Sequence, residues 1–183
     1  VRDTTLATTL GLDGVTVSTV EHLMSAFSGM GVDNAVVEVD APEVPIMDGS
    51  ARLIMDALTT AGIQEQAAEK EYFIIEKPIS YRDEVTGSEL LAVPADDFEV
   101  TTMIDFNSPV LGQQYASLNG IENYEHEIGP CRTFVFLHEL EQLLTHGLIK
   151  GGDLDNAIVI VDRIMQQEDL DRLAQKLGKP SIK

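Results

Sequence analysis

Apolar residues recur at helical spacing in four stretches of the chain. Val20, Leu23, Met24 and Phe27 share one face and run out at Gly29 and Gly31, and residues 51–61 run out at Gly62. Leu137, Leu140, Leu143 and Leu144 repeat the pattern up to Gly147, as do residues 168–177 up to Gly178. Strand-like runs rich in β-branched residues lie around these helices: Val15-Thr16-Val17, then residues 72–79, 89–93 and 98–106, with turn signals at Thr86-Gly87 and Asn107-Ser108-Pro109. Several strands in series followed by helices predict an α+β fold.

Two further strand-like octets resemble each other. Asp33-Asn34-Ala35-Val36-Val37-Glu38-Val39-Asp40 and Asp155-Asn156-Ala157-Ile158-Val159-Ile160-Val161-Asp162 agree at six of eight positions. A helix with a glycine stop precedes each and a second helix follows, so the order helix, glycine, strand, helix occurs twice and predicts a duplicated unit. Residues 64–71 are polar and without periodicity, and read as the boundary between the copies. The expectation is two similar domains, 1–66 and 67–183, each a mainly antiparallel sheet with two helices packed on one face. The two octets then occupy equivalent strands. Glu38 faces solvent, and the second octet, with Ile160 at the matching position, is covered on both faces.

Composition adds two constraints. With 44% hydrophobic residues but only 5% aromatics and no Trp in 183 residues, the core must rest on aliphatic packing. With 31 Asp and Glu against 12 Lys and Arg, a formal charge of −19 repels nucleic acid and anionic lipid, which excludes both as partners. No apolar run approaches the roughly 18 residues of a membrane span. The lone Cys131 has no partner for an intramolecular disulfide and no second Cys for a structural zinc, so the expected compartment is a reducing cytoplasm.

Four His, at 22, 126, 138 and 146, limit the acid, base and metal chemistry open to the chain. His22 follows Glu21 where the strand-like run at 15–17 gives way to the first helix. Three, four and seven residues on stand Ser25, Ala26 and Gly29, a stripe of small side chains that leaves room for a close-packed element or a ligand. Glu21 has two readings. Ser18-x-x-Glu21 fits a capping box, in which the carboxylate reaches back to the Ser18 N–H. An adjacent Glu and His also suit a neutral imidazole that binds zinc while the carboxylate takes a proton from water. For His22 the plain alternative is a satisfied surface histidine. The segment Pro45-Ile46-Met47-Asp48-Gly49-Ser50 reads as a turn whose Ser caps the next helix. In Arg132-Thr133-Phe134-Val135-Phe136, a strand would set Phe134 and Phe136 on one face.

Taken in order, Val1-Arg2-Asp3-Thr4, Ser18-Thr19-Val20-Glu21-His22-Leu23, Ala41-Pro42-Glu43, Pro45-Ile46-Met47-Asp48-Gly49-Ser50-Ala51, Ile104-Asp105-Phe106-Asn107 and Arg132-Thr133-Phe134 resemble the motifs of the UDP-3-O-acyl-N-acetylglucosamine deacetylases. They span nearly the whole chain. The resemblance implies a cytoplasmic zinc hydrolase of Gram-negative lipid A synthesis, acting on an acylated UDP-amino-sugar, with two similar sheet-and-helix domains. It implies that Glu21 is the general base, His22 a zinc ligand and Thr133 the hydroxyl that meets the developing oxyanion. Phe106 would lie at the uridine end of the substrate, and Phe134 and Phe136 near the sugar and the mouth of the acyl passage. Leu137, Leu140, Ile149, Gly152 and Ala157 would line that passage.

The chain also departs from the family pattern. A downstream His-x-x-x-Asp that would complete the zinc site is absent, because Ala26, Pro130, Gln142 and Lys150 stand four residues after the four His, and the family's later catalytic His is missing as well. The expectation is a portion of the enzyme truncated at both ends, inactive by itself, whose full-length form in some lineages is fused at its C-terminus to a hydroxyacyl dehydratase domain. The competing expectation is a non-catalytic acidic binding module on the same scaffold.

Overall fold

The computed structural model describes residues 1–145, 155–176 and 178–180. It is a mixed α and β structure. Strands β1 (Leu10–Leu12) and β2 (Val15–Val17) form a hairpin that leads into helix α1 (Glu21–Gly29), and helix α2 (Arg52–Ala61) follows the long segment between them. Two more antiparallel hairpins come next, β3 (Ile79–Arg82) with β4 (Glu89–Ala92) and β5 (Glu99–Asp105) with β6 (Gln113–Asn119). A short turn of helix, α3 (Tyr124–Glu127), precedes β7 (Phe134–Phe136). Helix α4 (Leu137–Thr145) leaves β7 directly, β8 (Ile158–Ile160) runs parallel to β7, and α5 (Gln167–Lys176) comes last.

All four helices expected from periodicity form, within a residue or two of their glycine stops where the stops are described. Glycine is what ends them well: Gly62, at φ +82°, continues past α2 in a conformation a side chain would resist. The strands agree less. Residues 72–78 carry no regular structure, and the strand expected there begins only at Ile79. Tyr72, Phe73 and Ile74 are exposed, so no packing surface holds that run extended.

The duplication is not what the structure shows. Residues 32–39 form no strand, whereas Ile158–Ile160 pairs in parallel with β7, so the two octets are not equivalent. Glu38 is exposed, as expected, but Ile158 is also exposed and Val159 and Ile160 only half-buried, so the second octet is not covered on both faces. The pairing is mainly antiparallel, as expected, but among the described residues the strands form four separate two-stranded pairs, one of them parallel, in place of two larger sheets. An octet of alternating β-branched residues states a strand propensity. It does not supply the neighbour that turns propensity into a ladder.

Among the described residues two apolar clusters form the core. In the first, Ala26 of α1 and Ala51, Ile54 and Met55 around α2 close on Leu118 of β6 and Tyr124 of α3, so residues on both sides of the 66/67 boundary share one core. The small-residue stripe on α1 explains the fit. The Tyr124 ring lies against Gly29, where an added Cβ would come within 2.0 Å of Cδ1, and its hydroxyl shares a hydrogen bond with Ser25 Oγ. The room left by the stripe is therefore taken by a close-packed element. Beside it a cavity of about 290 Å³ runs between α1 and the β5–β6 hairpin, lined by Ser28, Phe98, Val100 and Ile121 among others. The second cluster packs Leu137 and Leu140 of α4 on Leu173 of α5, flanked by Val135 and Val159 from the parallel pair.

Gly29→Ala should lower stability by about 1–3 kcal/mol, because the methyl has no space unless Tyr124 leaves its site. Thermal unfolding of the variant checks it, and an unchanged midpoint would mean that Tyr124 does not seat against α1.

Candidate functional site

Glu21 and His22 open α1, and the chain enters that helix along a fixed path. The Ser18 N–H donates to the Pro42 carbonyl at 2.9 Å, and the Val44 N–H donates to the Ser18 carbonyl at 3.0 Å, a one-residue parallel bridge. Thr19 then turns through φ +58°, buried, with its hydroxyl donating to Glu43 Oε1 at 2.7 Å. Val20 takes the N-cap position without a side-chain cap. The capping box is therefore not formed: Ser18 lies outside the cap, and Glu21 Oε2 instead accepts the Thr8 N–H at 3.0 Å. Both Glu21 and His22 are half-buried. Glu21 is the acidic residue of the first turn of α1, where the helix dipole favours a carboxylate.

Two residues beyond the bridge, the same loop builds the second half of the site. Met47, at φ +54°, and Gly49, at φ +83°, turn the chain tightly, with the Gly49 N–H donating to the Ile46 carbonyl at 2.9 Å. Asp48 accepts from the Ser50 hydroxyl and N–H, so the turn expected here forms; Ser50 Oγ accepts the Arg52 N–H, but Ala51 rather than Ser50 takes the N-cap position of α2. The outward carbonyls of the turn are used by a distant segment. Arg132 donates through Nε to the Asp48 carbonyl at 2.6 Å and through Nη2 to the Asp155 carbonyl at 2.5 Å, while the Thr133 N–H donates to the Gly49 carbonyl at 2.8 Å. The Thr133 carbonyl in turn accepts the Ile158 N–H at 3.0 Å. Gly49 must be glycine here, since an added Cβ would lie 2.1 Å from the Asn156 carbonyl oxygen.

The three candidate aromatics meet. Phe106, Phe134 and Phe136 stand pairwise edge-to-face with ring centroids 5.4 to 6.0 Å apart, an arrangement that favours aromatic pairs beyond the area they bury. Phe106 is set by its own turn: its N–H donates to the Gly112 carbonyl, and Asp105 accepts from Gln113 Nε2 and the Asn107 N–H. Phe134 is 39% exposed and Phe136 buried, so the cluster shows one ring to solvent and hides another.

The apolar candidates divide. Leu137 and Leu140 lie within the second core cluster against Leu173, and Ala157 is half-buried just before β8. Ile149 and Gly152 lie outside the described residues. Sequence reasoning missed the Arg132 clamp, the Thr19–Glu43 bond and His138, which stacks on Phe136 and bonds through Nδ1 to Asp162. The motifs holding Arg132 and Glu43 were visible, but nothing in a sequence pairs an Arg with a carbonyl 84 residues away.

Among the described residues no group of three or more His, Cys, Asp or Glu side chains stands close enough to hold a metal ion. A catalytic zinc site uses three protein ligands, so the single imidazole of His22 does not make one with the residues described.

A family model described as UDP-3-O-acyl N-acetylglycosamine deacetylase matches residues 1–175, and the chain belongs to this family, LpxC. It is 45% identical over its whole length to a bifunctional enzyme LpxC/FabZ of Bacteroides thetaiotaomicron, covering 40% of that protein. It is 46% identical to a UDP-3-O-acyl-N-acetylglucosamine deacetylase of Syntrophus aciditrophicus over 93% of the chain and 54% of the relative, and 49% identical to one of Myxococcus xanthus over 87% and 51%. The chain spans about half the length of the curated relatives it matches.

Asp48 gives a pH prediction. Burial pushes its carboxyl up, but the bonds from Ser50 and Arg52 outweigh burial and hold it below its ordinary range. A lowered folded value stabilises the fold at pH above the unfolded value, and that stability is lost as pH falls through the ordinary carboxylate range to the folded value. Asp48→Asn should flatten the acid limb of an unfolding curve as pH falls through and below the ordinary carboxylate range. A limb as steep as that of the unchanged protein would show that other carboxylates dominate.

Proposed function

We propose that this chain is the part of a zinc-dependent deacetylase that carries the base and one metal ligand, acting in the cytoplasm on the N-acetyl group of an acylated UDP-glucosamine for lipid A synthesis. The observation that carries the reading is Glu21, fixed at the start of α1 by the Thr8 N–H and joined through the loop at 42–51 to the segment bearing Thr133. Family membership and the names of the relatives support the substrate class. In this reading water adds to the amide carbonyl and gives its proton to Glu21. The Thr133 hydroxyl donates to the carbonyl oxygen as charge develops there, and Glu21 then gives its proton to the amide nitrogen, so that the C–N bond breaks, the amine leaves and acetate is released. His22 is one zinc ligand, and the metal supplies electrophilic activation when the remaining ligands complete its site.

Phe106, Phe134 and Phe136 offer an aromatic platform to the uridine and sugar, and Ala157 lies on the way for the acyl chain, whereas Leu137 and Leu140 are taken up in the core against Leu173. Glu21 and His22 lie on one side of the 66/67 boundary and Thr133 on the other, and residues from the two sides share one core. The bifunctional names among the relatives support a second, dehydratase domain in the full-length protein. No helix among the described residues is long and apolar enough to cross a membrane.

In the full-length protein, Glu21→Gln should lower kcat by about 10²- to 10⁴-fold with zinc retained, and His22→Ala should lose metal. Steady-state kinetics and metal analysis decide both. Near-normal turnover in Glu21→Gln would reduce Glu21 to a structural role, and a full-length protein that turned nothing over would favour the non-catalytic module. The chain of 183 residues alone is expected to bind zinc weakly and to deacetylate nothing; tight stoichiometric zinc with turnover would overturn the missing-ligand argument.

A further inference from the structure

We propose that Thr19 and Glu43 are positioning residues that set the direction in which Glu21 and His22 leave the first turn of α1, an inference that rests on reading Glu21 as the base. Thr19 is β-branched and lies in the left-handed region at φ +58°, a conformation that such residues adopt only when their surroundings impose it. Two surroundings do so here. Its side chain is buried and its hydroxyl is bonded to Glu43 Oε1 at 2.7 Å, within the range expected for a hydroxyl on a carboxylate. The residue before it is bridged to the backbone on either side of Glu43, through Ser18 N–H to the Pro42 carbonyl and Val44 N–H to the Ser18 carbonyl.

The next two residues show what so constrained a turn achieves. Val20 donates to the Thr8 carbonyl and Glu21 accepts the Thr8 N–H, so the helix start docks on residue 8 in one orientation. If Thr19 relaxed to an ordinary φ, the first turn of α1 would rotate away from residue 8 and carry both chemical side chains with it. Glu43 touches neither Glu21 nor His22 by any bond described. It acts through Thr19.

The test uses the full-length protein with its acylated UDP-N-acetylglucosamine substrate. Thr19→Val keeps the shape and removes the hydroxyl, and Glu43→Ala removes the acceptor. Each should lower kcat about 10- to 100-fold with KM within about twofold, because a misplaced base loses the transition state and leaves binding intact. Thr19→Ser and Glu43→Gln keep a donor and an acceptor and should stay within about threefold of the unchanged protein. An activity-independent readout accompanies these: hydrogen-exchange protection of the Thr8 amide, bonded to Glu21, should fall about tenfold in Thr19→Val and Glu43→Ala but not in the two conservative variants. Normal kcat and normal Thr8 protection in the disruptive pair would overturn the proposal, as would equal losses in the conservative pair. If the unchanged protein showed no deacetylation, the proposed function would fail, and Thr8 protection would still decide whether Thr19 and Glu43 orient Glu21.

Discussion

Arg132 is the tie on which the assembly of the candidate site depends. Its guanidinium donates to the carbonyls of Asp48 and Asp155, and the neighbouring Thr133 N–H donates to the Gly49 carbonyl, so one dipeptide joins three segments far apart in sequence. The setting makes this use of a cation informative. With 31 acidic residues to 12 Lys and Arg, carboxylates compete for every positive group, yet Arg132 is turned onto backbone oxygens. A guanidinium suits that task because its donors form a rigid planar fork, which fixes the angle between the carbonyls as well as their distance. Lysine would supply charge without that angle.

The loop held by Arg132 is also the loop that shapes the start of α1. Glu43 accepts the Thr19 hydroxyl at one end of it, and Asp48 and Gly49 meet Arg132 and Thr133 at the other. Glu21 and Thr133 thus share a scaffold of a few residues, although they are far apart in sequence. A displacement of this loop would move both together, so the placement of Glu21 relative to Thr133 is better protected than the position of either. Such common support is what catalytic groups require, since rate depends on their mutual placement.

Helices were legible because their signal is local. Four apolar stripes and their glycine stops located α1, α2, α4 and α5, and the Ser25, Ala26, Gly29 stripe left room for a close-packed element or a ligand. That the partner is Tyr124 was not legible, for nothing near residue 124 distinguishes it. The octets at 33–40 and 155–162 misled for the same reason in reverse. They share composition, but only the second finds a partner, in β7, and pairing is a property of the fold. The family motifs marked Glu21 as a candidate without revealing that it bonds to Thr8 in place of the Ser18 N–H.

The positions where local rules break carry the most information about chemistry. Among the described residues four non-glycine residues have positive φ, and three of them, Thr19, Met47 and Asn107, fall inside the motifs that bear Glu21, Asp48 and Phe106. A regular element presents its side chains at angles set by its period, which suits burial. A reactive group has to be aimed at a point in space, and a single residue forced out of its preferred conformation re-aims everything after it. The cost is carried by the packed clusters on either side, with Ala26, Met55 and Tyr124 below α1 and Leu137, Leu140 and Leu173 below β7. Stability here is concentrated in plain aliphatic contacts so that three short turns can be strained, and the strained turns are where hydrophobic periodicity ends and the candidate site begins.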